Sequence, residues 1–172
     1  MSTRLRRARV KSQNAPGTVA IYLNLSQDYF NLSPDDNFRG FIKEEAMKVE
    51  AVQTSKAPAA IGPYSQAIRA NGFVFVSGQI PIDPETGEIV NGGFSDQARQ
   101  SLENLKQILI ASGAGLEKVV AVDVFITDMS QFTVFNKIYE GYFSGHKPAR
   151  AVVEVKGLPR GVMVEVKCVA VE

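Results

Sequence analysis

Two charged residues stand inside apolar β-type segments, and they are the first candidates for chemistry in this chain. Arg150 lies in Pro148-Ala149-Arg150-Ala151-Val152-Val153-Glu154-Val155, and Glu165 lies in Val164-Glu165-Val166. Charged side chains in apolar surroundings are where perturbed titration, and with it acid–base chemistry, arises. Only a short turn, Gly157–Gly161, separates the two segments, so Arg150 and Glu165 are expected on adjacent strands and close together. The same pattern also fits an exposed cross-strand ion pair of little energetic weight.

A second group of residues lies earlier in the chain. Ile61-Gly62-Pro63-Tyr64-Ser65-Gln66-Ala67 is followed by Val76-Ser77-Gly78-Gln79-Ile80-Pro81. Glycines at strand ends let backbone approach a ligand closely, and they serve tight turns equally well. Other familiar site types find little support. No Gly-rich phosphate loop is present, and with His146 the only histidine, metal sites needing two are ruled out. A Ser-His-Asp triad would have to use His146 from the loop-like Gly145-His146-Lys147-Pro148. The lone Cys168 can form neither an internal disulfide nor a Cys-based metal site. It shares a strand face with Val164, Val166 and Ala170 and reads as packing.

The elements that must carry these residues show regular patterns after Met47. Lys48–Gln53, Tyr64–Ala70 and Phe73–Ser77 read as strands, the last two joined by the hairpin signal Asn71-Gly72. Ala98, Leu102, Leu105 and Leu109 recur at helical spacing, with Ser95 or Asp96 as N-cap and Gly113 as terminator. Lys118–Thr127 is a β-branched strand, and a second helix capped by Asp128 or Ser130 carries the stripe Phe132, Phe135, Tyr139 and Tyr142. Ala149–Lys156 and Val162–Val171 close the chain as strands. The order β-β-β-α-β-α-β-β predicts an α/β (α+β) fold, a mixed sheet with two helices on one face.

Such a sheet leaves its second face bare. In Lys118–Thr127, Val120, Val122, Val124 and Ile126 are expected to point one way and Val119, Ala121 and Phe125 the other, so both faces are apolar. Self-association is the simplest cover; a third layer from residues 1–46 is the alternative.

Charge and composition set the class. The 172-residue chain is 45% apolar and 22% charged, as in an ordinary globular domain, with a net charge of +1. That balance speaks against a general electrostatic grip on nucleic acid or anionic membrane. No apolar run reaches the length of a membrane span and no long apolar stretch follows the basic N-terminus, so a reducing, cytoplasmic compartment is expected. Residues 1–46 hold seven basic and five acidic residues without a persistent period, whereas 47–172 hold twelve and thirteen. This N-terminal extension reads as a disordered tail, a transit peptide or, preferred here, a stretch upstream of a native start at Met47. Lys43-Glu44-Glu45 can be encoded AAG-GAG-GAG, a bacterial ribosome-binding sequence just before that methionine.

The motifs together carry a resemblance. Ala60-Ile61-Gly62-Pro63-Tyr64-Ser65-Gln66-Ala67, Val76-Ser77-Gly78-Gln79-Ile80-Pro81, Pro148-Ala149-Arg150 and Val164-Glu165 closely resemble the RidA/YjgF reactive-intermediate deaminase family, in order, from about residue 48 to the C-terminus. The resemblance implies a chorismate-mutase-like fold, a homotrimeric barrel with clefts between subunits, and a RidA-like domain over 47–172. It implies hydrolysis of enamine/imine acids of the 2-aminoacrylate/2-iminopropanoate type to 2-keto acids and ammonia, without metal or organic cofactor. Position by position, Arg150 matches the arginine that holds the substrate carboxylate. Glu165 matches the glutamate that positions water and moves protons, and Tyr64, Ser77, Gly78 and Asn136 match other cleft positions. Val152 departs from the cysteine of many relatives, the segment before Pro148 is shorter than in some, and Val166 replaces an isoleucine or methionine.

Rival readings from other classes are a regulatory trimer that binds 2-keto acids without turnover and an RNA-acting translation inhibitor. Carboxylate binding alone does not call for Glu165, and the near-neutral domain with one histidine disfavours RNA chemistry. A chorismate mutase would want more than one cationic anchor for its dianionic substrate.

Overall fold

The computed structural model describes residues 48–172. The start at Met47 and the three readings of residues 1–46 lie outside the described residues. The described chain runs β1 (Val49–Val52), β2 (Ala67–Ala70), β3 (Phe73–Gln79), α1 (Phe94–Ala111), β4 (Val119–Ile126), α2 (Phe132–Tyr142), β5 (Ala149–Glu154) and β6 (Val164–Val171). This is the expected mixed α+β order.

The β2–β3 hairpin turns at Asn71 and Gly72, with φ of 51° and 76°. Two consecutive left-handed residues match the twist of the flanking strands, which is why Asn-Gly marks such turns. Helix α1 begins at Phe94, and its cap lies two residues before Ser95 and three before Asp96. Gly93 is the N-cap, and Asp96, three residues on, accepts a hydrogen bond from the Gly93 N–H at 3.3 Å. Asp96 thus supplies the reaching-back half of a capping box, not the cap itself. At the other end the Ala114 N–H donates to the Leu109 carbonyl at 3.0 Å, closing the helix around Gly113 as expected.

Six strands form one sheet in the order β1-β2-β3-β6-β4-β5. All neighbours are antiparallel except β4 and β5, which are parallel and joined through α2. Strand β6 lies between β3 and β4, so both helices serve crossover connections. Along α1, Ala98, Leu102, Leu105, Ile108 and Leu109 are fully buried against Val74, Val76, Val122, Val124, Val164 and Val166 of the sheet. Each large side chain so removed from water contributes roughly 1.5–3 kcal/mol before entropy is charged against it. From α2, Phe135, Ile138 and Tyr139 join this core, and Cys168 is buried within it. Burial pushes the Cys168 thiol up to about 12, in keeping with a packing role. Of the expected α2 stripe, Phe132 stays exposed, while Ile138 takes a place in the core.

The second face of the sheet has no cover among the described residues. Phe73, Phe75 and Val153 are each more than 40% exposed there. One alternation differs from expectation. Val119 is buried with Val122, Val124 and Ile126, and Val120 is exposed, because the β4–β6 register shifts between Val119 and Ala121. The inserted residue of this bulge reverses the faces on its N-terminal side. Among the described residues, no helix is long and apolar enough to cross a membrane.

Candidate functional site

The sheet order overturns the expected proximity of Arg150 and Glu165. Strand β4 lies between their strands. Arg150 pairs with Val122, whereas Glu165 pairs with Phe125 three residues further along β4. Cross-strand partners share a face, and positions three apart on one strand do not. Val122 faces the helices at 1% exposure, so Arg150 projects on the helix side of edge strand β5, and Glu165 projects on the open side. Their backbones are on the order of 14 Å apart. Within one chain these residues form neither an ion pair nor a common site, and the candidate residues sort into two groups.

The first group is built around Arg150. Its Nη2 donates to Asn136 Oδ1 at 2.7 Å, and its guanidinium carbon lies 4.5 Å from the centre of the Tyr139 ring. Asn136 and Tyr139 are three apart on α2 and so share a helix face. Tyr139 stacks on Phe143 with ring centres 4.4 Å apart. Burial lifts the Tyr139 phenol up to about 12, against the lowering effect of the Arg150 charge, so the hydroxyl stays neutral near pH 7. These residues, with Lys147 and Pro148, line an open cleft of about 400 Å³. Among the described residues Arg150 has no carboxylate partner. Its charge is therefore left for an outside anion.

Glu165 organises the second group. An atom added at the Gly78 Cβ position would lie 2.0 Å from Glu165 Oε1 and 2.8 Å from its carboxyl carbon. The carboxylate therefore rests directly on the Gly78 backbone, where β3 shifts register against β6 between Val76 and Gln79. Burial raises the Glu165 pKa above the usual carboxylate value, and the Lys167 ammonium works against that rise. Lys167 is shared with Asp123, 3.4 Å away. The Ser77 hydroxyl donates to the Ser65 carbonyl at 2.7 Å, and the Ser77 N–H donates to the Gln66 carbonyl at 3.0 Å. These bonds fix the backbone just after the half-exposed Tyr64, whose ring lies over Gly62.

Sequence reasoning missed two supporting residues. The buried Gln66 side chain donates to the carbonyls of Thr54, Ala57 and Pro58 and accepts from the Thr54 N–H, so it clamps the loop that leads to Tyr64. Its position within the Ser65-Gln66-Ala67 motif was the available signal. Tyr139 reads in sequence as one more core aromatic, and nothing in its spacing reveals the cation above it. His146 Nε2 contacts the Val119 carbonyl. Among the described residues, no group of three or more His, Cys, Asp and Glu is placed to hold a metal ion.

The Glu165–Gly78 contact yields a direct prediction. Gly78→Ala should force the carboxylate aside, because the clash falls on the far end of a flexible side chain. On the reading that Glu165 transfers protons, turnover should drop about a hundredfold, the cost of a misplaced catalytic group. The melting temperature should move by only a few degrees, as checked by calorimetry beside the activity assay.

Residues 54–172 match the family model described as Endoribonuclease L-PSP. A RutC family protein of Pyrococcus horikoshii is 52% identical over 121 residues, 70% of this chain and 96% of that protein. The 2-iminobutanoate/2-iminopropanoate deaminase of Mus musculus is 46% identical over 123 residues, 72% of this chain and 91% of the mouse protein. Among solved structures, E. coli TdcF with bound serine superposes with a TM-score of 0.69 at 42% identity, over 72% of this chain and 98% of that one.

Proposed function

The chain belongs to the endoribonuclease L-PSP (RutC/YjgF/RidA) family, and from that premise we propose that it hydrolyses enamine/imine acids of the 2-aminoacrylate/2-iminopropanoate type to 2-keto acids and ammonia. The observation that carries this reading is the Arg150 guanidinium, fixed by neutral groups in an open cleft and left without a carboxylate partner among the described residues. Such a group takes a small carboxylate through two parallel hydrogen bonds. The bound serine of TdcF, a small amino acid, supports the same ligand class.

The active unit is proposed to be a homotrimer of chorismate-mutase-like architecture. Two observations support it. The apolar open face of the sheet calls for a partner surface, and Arg150 and Glu165 lie on opposite faces of one sheet. In a closed ring each interface can join Arg150, Asn136 and Tyr139 of one subunit to Glu165, Gly78, Ser77 and Tyr64 of the next. No single chain holds a whole site in this reading.

The chemistry then needs little. A protonated imine is already electrophilic, so the site has to orient it, deliver water and move protons. Arg150 holds the carboxylate, with Asn136 fixing the guanidinium. The Glu165 carboxylate takes a proton from water as its oxygen bonds to the imine carbon, then passes that proton to the nitrogen. Ammonia leaves as the carbinolamine hydroxyl gives up its remaining proton to the Glu165 carboxylate, and that oxygen becomes the keto group. Ser77 and the Gly78 backbone contact the substrate, and the Tyr64 hydroxyl assists transfer to nitrogen.

A coupled assay tests the proposal. A serine dehydratase generates 2-aminoacrylate, semicarbazide traps the imine, and pyruvate release is followed. Faster pyruvate release with suppressed trapping is expected. Unchanged rates of both would instead favour a binding role.

A further inference from the structure

Resting on the reading of Arg150 as the carboxylate anchor, we propose that Tyr139 is a positioning residue whose ring is the platform that aims the guanidinium into the cleft. Arg150 is an exposed residue on an edge strand, and a long side chain in that setting has about 2 kcal/mol of rotamer entropy to lose on binding. Three contacts remove that freedom beforehand. The Tyr139 ring supports the cation at 4.5 Å, Asn136 Oδ1 ties Nη2 at 2.7 Å, and Phe143 stacks on Tyr139 at 4.4 Å, fixing the platform within the core. The ring itself is only 8% exposed, so it cannot swing away.

The kind of support matters as much as its existence. An acidic partner would hold the arginine equally well but would cancel its charge and compete with the ligand. An aromatic face attracts a cation through its quadrupole and leaves the formal charge intact, and a neutral amide oxygen occupies only one of the five N–H donors. The remaining donors stay available for a carboxylate. Glu140 also lines the cleft, but no ion pair joins it to Arg150. The Tyr139 hydroxyl has no hydrogen-bond partner in its buried site, so the ring, and not the phenol oxygen, carries the function.

This assignment predicts a dependence on ring electron density that a packing role would lack. With Tyr139→Phe as reference, position 139 is filled by 4-fluoro-, 3,5-difluoro- and 3,4,5-trifluorophenylalanine, which nearly preserve shape while draining the ring face. KM for 2-aminoacrylate generated in situ should rise stepwise, reaching about tenfold for the trifluoro variant, while kcat stays within about threefold. A flat KM across the series would overturn the platform. A second measurement needs no ligand. In the unliganded wild type, the Arg150 Hε resonance should be shifted upfield by the ring, and the shift should vanish in Tyr139→Leu. An unshifted Arg150 Hε would overturn the platform whether or not the protein deaminates imines. An upfield-shifted Hε in a protein without turnover would leave the platform standing and reject only the deaminase reading.

Discussion

Arg150→Ala should lower kcat/KM for 2-iminopropanoate by about thirtyfold to a few thousandfold, with the subunits still assembled and folded. The size follows from the chemistry of the contact. Truncating one partner of a desolvated, hydrogen-bonded charge pair costs about 2–5 kcal/mol, and each 1.4 kcal/mol is tenfold. The small effect on folding follows from its place. Arg150 is exposed on edge strand β5, and what it leaves behind is a ring already packed on Phe143 and an amide on an open cleft. Arg150→Lys should recover only part of the loss, because an ammonium keeps the charge and lacks the planar fork. Steady-state kinetics beside calorimetry separates these effects. Near-normal turnover in Arg150→Ala would reject the anchor.

Glu165→Gln should reduce kcat by a comparable factor, about a hundred- to ten-thousandfold, with substrate binding less affected. The amide preserves shape over Gly78 but cannot accept a proton from water. The wild-type pH profile should carry the same signature. Only the ionised carboxylate serves as base, and burial raises its pKa, so activity should fall with decreasing pH earlier than for an ordinary glutamate. Lys167 opposes that rise, so Lys167→Met should move the acidic limb to still higher pH. Stability has the matching sign. With its folded pKa raised, Glu165 binds more protons in the native than in the unfolded state between the two values. Its contribution is therefore present below the ordinary carboxylate pKa and is lost as pH rises through the folded one. Glu165→Gln should remove that slope from the pH dependence of the melting temperature.

Local signals were legible in the sequence wherever the chemistry was local. Asn71-Gly72 sets its own hairpin, and the leucine spacing of α1 reports the buried face without help from the rest of the chain. The two-sided apolar strands were legible for the same reason, since alternation is a property of one strand. The errors arose where a distant partner decides. Arg150 and Glu165 are close in sequence, and a short turn suggested adjacent strands, but the crossover through α2 makes β4 the neighbour of both. The faces of Val119 and Val120 were exchanged because a bulge depends on the partner strand β6. Gly93 has no side chain to signal a cap, whereas Ser95 and Asp96 just beyond it both carry cap-type side chains. The motif residues could be picked out, yet their division into two groups on opposite faces is visible only once the sheet order is known.

That division bears on the central claim that this protein is a deaminase with sites shared between subunits. The most direct measurement mixes the two inactive variants. Arg150→Ala and Glu165→Gln chains are unfolded together, refolded at equal concentration, shown by native mass spectrometry to form mixed trimers, and assayed for pyruvate release. A shared site finds an intact arginine and an intact glutamate from neighbouring chains in roughly a quarter of interfaces, so about a quarter of wild-type activity should return. A site confined to one chain can never be whole in this mixture. Mixed trimers with no more activity than the two variants assayed alone would contradict the account.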